Sequence, residues 1–394
     1  MKIKLALIAF ILTGLLVASP AMAVINKVLS VDATGKQVTV DSAGRFIYIP
    51  DQKYNSLIIV DSSTLLVDDT ISLPGAPQDI ALDESAGKVY VTVSGFFEVL
   101  AFNISTYAPE TSLSLPQAGN EIVVGHNYIY VTTLESGSGI MRVDKTTGNY
   151  VDSFSLGVST YQRGAIEITP DKSKLIFANR GLSPGTVAVF DITGSDPVLL
   201  IKNAHGTLGG NGQGISVDPI NGSFLSYAVG GGNGTGYGIA KLAIADLSWI
   251  GELVTGPYPR AIHYSANGIT AYTNNAVNEV KVWDHILIQL TGTIAVLGNP
   301  QDFADAQGSS LLAVISDQEF AIYQVGEFTP EPPAPKLEGF VDGAVLTKVG
   351  CQNKSTKKKV SLSINANTFD CVAAGLEVNP GDLIKITLEG AIAE

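Results

Sequence analysis

An all-β fold is predicted for this chain: a seven-bladed β-propeller closed by its own N-terminal strand, followed by a small β-sandwich-like domain. Three observations predict it. A short segment recurs seven times at near-constant spacing, each repeat holds four strand-like pieces, and no repeat has a convincing 3.6-residue apolar period.

The chain opens with Met1-Lys2-Ile3-Lys4, an apolar run over 5–17, and then Ala18-Ser19-Pro20-Ala21-Met22-Ala23. A charged start, a short apolar core and an Ala-x-Ala site make a secretory signal peptide, with cleavage expected after Ala23 and export to the periplasm or cell surface. The run falls short of the roughly 20 apolar residues that a spanning helix needs. No later stretch is apolar enough to cross a bilayer, so no membrane insertion is expected after the signal is removed. Removal takes away two of 24 Lys+Arg and none of 37 Asp+Glu, which leaves a net charge of −15. A surface that acidic repels phosphate backbones and anionic headgroups, so nucleic acid is excluded as a partner.

The repeat is anchored at Val38, Ile80, Ile122, Ile166, Ile215, Ile262 and Phe303, with steps of 42, 42, 44, 49, 47 and 41 residues. Each anchor sits in a short strand such as Gln78-Asp79-Ile80-Ala81-Leu82. A second strand rich in aromatic and β-branched residues follows, as in Lys88-Val89-Tyr90-Val91-Thr92-Val93. A third strand runs to Asp61, Asn103, Asp144, Asp191, Asp246 or Asp284, residue types that close an Asx-turn by accepting from the backbone two positions on. A fourth strand then leads to Gly or Pro. Four short antiparallel strands in about 42 residues make a propeller blade. The seventh repeat enters a proline run before its outermost strand, and the alternating segment 24–31 is expected to take that place, because an open ring leaves two apolar faces wet.

With these pieces in view, the chain resembles the YVTN β-propeller repeats of YncE-like periplasmic and surface-layer proteins. The residues that carry the resemblance are Gly87-Lys88-Val89-Tyr90-Val91-Thr92, Tyr130-Val131-Thr132-Thr133 and Tyr272-Thr273-Asn274-Asn275, and it spans roughly 24–326. The pattern is broken at Phe177-Ala178-Asn179-Arg180 and Leu225-Ser226-Tyr227-Ala228. The resemblance implies a propeller fold and an exported protein, with no fixed activity, since the shared residues are those of strands and turns.

Residues 328–335 form a Pro-rich linker, and 336–394 are expected to be a small β domain with alternating runs at 359–364 and 383–388. Cys351 and Cys371, the only cysteines, are expected to pair in an oxidising compartment, which compensates for a limited core.

No motif for a catalytic residue, metal or cofactor is present: His126, His205, His263 and His285 share no spacing, and there is no G-x-S-x-G or C-x-x-C. The two Gly-rich segments, 206–212 and 230–238, do not open helices and read as long loops. Register supplies the candidate site instead. The two positions before each anchor should converge at one mouth of the channel, and they bring Gln78, Asp79, Asn120, Glu121, Gln213, Arg260, Gln301 and Asp302 together. A monomeric protein that binds a protein, a glycan or a small polar ligand is the function expected. The competing class is a propeller enzyme such as a lactonase, or an accessory subunit of an exported dehydrogenase, which needs clustered His, Arg or metal-binding carboxylates at one mouth.

Overall fold

The computed structural model describes residues 26–133, 139–158, 164–204, 208–231, 237–275, 277–305, 310–325, 338–340, 344–354, 356–366, 368–370 and 384–392. Seven four-stranded antiparallel blades stand in a ring. Their innermost strands are Thr39–Val40, Pro77–Asp83, Gly119–Val124, Ala165–Ile168, Ile215–Val217, Ile262–Tyr264 and Pro300–Ala304, and they define blades 1 to 7. Six of the seven anchors lie in these strands, and Val38 immediately precedes the first. Blades 1 to 6 each take four consecutive strands of the chain.

Blade 7 supplies only Pro300–Ala304, Leu311–Ser316 and Phe320–Gln324, and its fourth place is taken by Asn26–Val31. That strand pairs antiparallel from Asn26 opposite Gln324 to Val31 opposite Phe320. Residues 24 and 25 of the expected closing segment lie outside the described residues. Lys27 and Ser30 both donate to the buried carboxylate of Glu319, so a polar clamp accompanies the ladder.

Packing closes the circle. Among the described residues seven buried apolar clusters are found, each shared by two successive blades. Tyr90 and Val99 of blade 2 meet Ile122 and Val131 of blade 3. Ile49 and Val60 of blade 1 meet Ile315 and Phe320 of blade 7. An open row of seven blades has six such interfaces, and the seventh is the one that the N-terminal strand completes. The Asx-turns form as expected, with Asp61 accepting from Ser63, Asn103 from Ser105, Asp144 from Thr146 and Asp191 from Thr193. Blade 5 differs in detail: its third strand ends at Ala243, and Asp246 lies beyond it in the turn, where it accepts from Ser248.

A buried polar contact joins blades 5 and 6. Lys241 Nζ lies 3.0 Å from His285 Nδ1 and 4.0 Å from the Phe224 ring centroid, and His285 Nε2 lies 3.1 Å from the carbonyl of Gly268. Nε2 therefore carries the proton and Nδ1 accepts from the ammonium. Burial, with Lys241 beside it, lowers the His285 pKa to about 4. Because the unfolded chain takes up this proton near pH 6.5 and the fold refuses it until about 4, the contribution of His285 to stability is full above that window and falls as pH drops through it. The loss is expected to reach roughly 3 kcal/mol. Urea unfolding of the wild type and of His285→Asn at pH 7 and pH 4.5 checks it, with the wild type expected to lose about that much relative to the variant at the lower pH.

The chain divides into two compact units, of which Ala23–Phe328 is one, and Thr329–Glu394 falls in the other. In the latter, Ala344–Asn353 forms the centre of a three-stranded antiparallel sheet with Lys359–Ala366 and Ile384–Ile392, and Glu338–Phe340 pairs with Thr368–Asp370. The expected run at 359–364 falls on one of these strands and residues 384–388 of the second run on another, while residue 383 lies outside the described residues. Cys351 is buried, while Cys371 and the Pro-rich linker 328–335 lie outside the described residues. Among the described residues no helix is long and apolar enough to cross a membrane.

Candidate functional site

The inner strands surround a cavity of about 450 Å³. At its mouth, blades 2, 3 and 7 each present a carboxylate one position before the anchor, and each carboxylate reaches forward to the next blade. Asp79 accepts from Ile122 N–H at 2.8 Å, Glu121 from Ile166 N–H at 2.9 Å, and Asp302 from Val38 N–H at 3.0 Å. The inner strand of each of these blades is irregular at its start, between Pro77 and Asp79, Gly119 and Ile122, and Pro300 and Asp302. Such a bulge re-aims a side chain. Thr92 and Thr132, from the second strands, accept the bulged N–H groups of Asp79 and Glu121 at 3.1 and 3.0 Å. This gives the Tyr-Val-Thr strands a physical role, since the threonine holds the backbone that turns the acid inward.

Blades 4, 5 and 6 carry Ala165, Gly214 and Ala261 at the same position. Blade 5 is tied to blade 6 by backbone instead, through Gly214 N–H donating to the Arg260 carbonyl at 2.8 Å. A β-carbon at Gly214 would sit 2.6 Å from that oxygen, so the approach needs glycine. Small residues on this side leave room above the next layer, where Glu167, Ser216 and His263 line the cavity one position after their anchors. The lining is therefore lopsided, with acids one position before the anchor on blades 2, 3 and 7 and polar side chains one position after it on blades 4, 5 and 6.

His263 Nε2 lies 2.8 Å from Asp305 Oδ1 and its ring stacks on Tyr272. Asp305 also accepts from Ser265 Oγ and from Ala266 N–H. Burial opposes charge on His263, but the Asp305 hydrogen bond, with Asp302 and Glu167 nearby, outweighs it and raises the pKa. Burial likewise opposes charge on Asp305, and His263 with Ser265 pulls that carboxyl below its usual range. Asp302 is pushed up to about 7, mainly by burial, against the Val38 N–H and His263. Glu167 rises to about 8 through burial and the neighbouring Glu121 and Asp302, and it has no ion-pair partner among the described residues. Asp79 is raised well above its ordinary value by burial and Glu121. Glu121 is raised by burial despite its ion pair with Arg180.

Of the eight residues that the sequence placed at the mouth, Asp79, Glu121, Arg260, Gln301 and Asp302 line the cavity. Gln78, Asn120 and Gln213 do not, and their side chains are tied to the protein. Gln78 accepts from Lys36 at 3.1 Å and donates to the carbonyl of Ala76, Asn120 donates to Thr132, and Gln213 donates to Asn211. Sequence reasoning missed Glu167, Arg180, His263 and Asp305. Reading one position past each anchor yields Thr39, Ala81, Val123, Glu167, Ser216, His263 and Ala304, ionisable only where the earlier position is small. Arg180 has no such signal, since it comes from the broken Phe177-Ala178-Asn179-Arg180 strand. Among the described residues no group of three or more His, Cys, Asp or Glu has the arrangement of a metal site.

No protein-family model and no curated protein matches the chain. Among solved structures it is similar to hydrazine synthase of Kuenenia stuttgartiensis, with a TM-score of 0.59 and 14% identity, over 77% of this chain and 99% of that one. At that identity the likeness is one of fold, a β-propeller.

Proposed function

We propose that this chain is an exported binding protein of the YVTN-repeat kind whose propeller channel takes a small polar ligand bearing positive charge. The observation that carries the reading is the cluster of Asp79, Glu121, Glu167 and Asp302 around one cavity of about 450 Å³, within the size range of small-molecule sites. Carboxyls crowded in a partly dry channel hold protons that they would lose in water, and a cationic group entering the channel takes the place of those protons. Export to the periplasm or cell surface rests on the signal-peptide pattern of the first 23 residues. Protein and glycan partners fit a cavity of this size less well than a small ligand does.

A hydrolytic reading, of the lactonase kind, draws on the His263–Asp305 pair, and the neighbour's name is that of an enzyme. The direction of the His263 shift favours binding. A raised pKa keeps the imidazole protonated to higher pH than usual, and in that form it donates hydrogen bonds and does not act as a general base.

Isothermal titration of the mature chain with putrescine, arginine, choline and lysine methyl ester tests the reading. One site per chain is expected, with at least about tenfold weaker affinity in Glu167→Gln and in Asp302→Asn, a change typical of losing a charged partner. Affinity is expected to rise between pH 6 and 8.5, because Asp302 and Glu167, with pKa values near 7 and 8, ionise over that range. Binding untouched by both substitutions, or no binding by any probe, contradicts it.

A further inference from the structure

The face opposite the acid-bearing mouth carries, in blades 1 to 6, the turn between the first and second strands and the turn between the third and fourth. The two are bonded side by side, as in Ser62 N–H to Arg45 O, Lys145 N–H to Asn127 O and His285 N–H to Ile269 O. In blades 1 to 4 the third-to-fourth turn is polar: Ser62-Ser63-Thr64, Ser105-Thr106, Lys145-Thr146-Thr147 and Thr193-Gly194. In blade 6 the same Asx-turn forms, with Asp284 accepting from the N–H groups of Ile286 and Leu287 at 2.9 Å. The backbone geometry is that of the polar turns, so nothing in the turn asks for Ile and Leu there.

These side chains belong to a continuous apolar patch. Ile220 of blade 5 packs against Gly268 of blade 6, and Ile269 follows Gly268. The backbone of Ile269 is bonded to the turn that holds Ile286 and Leu287, and Ile288 of that turn packs against Gly251 on the outer strand of blade 5, beside Trp249 and Ile250. Ile220, Trp249, Ile250, Ile269, Ile286 and Leu287 are 46–61% exposed. Together they offer on the order of 700 Å² of apolar surface, above the roughly 300–600 Å² of the largest patch on a typical monomer. Asp246 is the exposed charge on the four turns.

We propose that this face of blades 5 and 6 is the seat of a two-fold contact with a second copy of the chain. The area is close to the about 800 Å² that each partner contributes to a standard interface. An apolar patch complements itself, as a two-fold contact requires. On a molecule with a net charge of −13, a patch this poor in charge brings two copies together with little local repulsion. The proposed dimer departs from the monomer expected from sequence.

Light scattering of the mature chain between about 1 and 100 µM, where an interface of this size associates if its packing is ordinary, tests it. A mass of two chains is expected for the wild type. The variant Trp249→Ser/Ile286→Thr/Leu287→Thr is expected to stay monomeric and to keep a single cooperative melt, since blades 1 to 3 carry Ser and Thr at the turn positions of Ile286 and Leu287. Leu66→Asp, at an exposed leucine of blade 1, is expected to leave the dimer intact. A wild type that stays monomeric throughout, including one that instead binds neutral phosphatidylcholine vesicles, overturns the proposal, as does a dimer that survives the triple substitution.

Discussion

Deleting residues 24–31 is expected to abolish the cooperative unfolding of the propeller, although those residues make up a small part of the chain. The deletion removes the outermost strand of blade 7 and strips Val28, Leu29 and Val31 from the cluster shared by blades 7 and 1. It also leaves Glu319, 7% exposed, without Lys27 and Ser30. An unpaired buried charge alone costs about 3–5 kcal/mol. Three partly buried aliphatic side chains add on the order of 3 kcal/mol. The total rivals the roughly 5–15 kcal/mol that holds a whole domain together. A thermal melt followed by circular dichroism should lose its single sharp transition, and a synthetic peptide of residues 24–34 should restore it by pairing with Phe320–Gln324. A truncated chain that melts like the full one removes the closure mechanism.

Arg180→Ala is expected to destabilise the fold strongly above neutral pH and weakly below pH 5. The guanidinium pairs with Glu121, which is 5% exposed and otherwise accepts from Ile166 N–H and, at 3.3 Å, from Gln37. Burial already raises the Glu121 pKa with the arginine present. Without the arginine it rises further, so the folded state keeps a proton that the unfolded chain releases near pH 4.5. With a raised folded pKa, stability is intact below that value and is lost as pH climbs. A deficit of about 3 kcal/mol is expected at pH 8 from stranding a buried carboxylate. Adding Glu121→Gln to Arg180→Ala should recover most of it. Urea denaturation of the two variants at pH 5 and pH 8 measures both effects, and a pH-independent deficit would show that Arg180 acts through packing instead.

The propeller was legible because its information is periodic. Anchors at steps of 41 to 49 residues mark the innermost strands directly, and the Asp and Asn residues that close third-strand turns recur in six blades. Even the N-terminal closure followed from counting, since blade 7 was one strand short. The site was legible only in part, because its chemistry is aperiodic. Asp79, Glu121 and Asp302 emerged from register, whereas Gln78, Asn120 and Gln213 turned out to be fastened to their own neighbourhoods. In blades 2 and 3 the strand is bulged at this point: one extra residue at the start of an inner strand changes which of two adjacent side chains faces the channel, and period alone does not announce it. His263 looked like an isolated strand histidine until blade 7 placed Asp305 against it, 42 residues later in the chain.

Hydrogen exchange of the mature chain, with and without the tightest-binding amine of the titration panel, addresses the channel site most directly. Binding at the acid-lined cavity should slow exchange in the inner-strand peptides around Val38, Ile80, Ile122, Ile166, Ile262 and Phe303, and leave the outer strands of the blades unchanged. Protection confined to outer strands or to the C-terminal unit would place the ligand elsewhere and contradict the channel as the binding site.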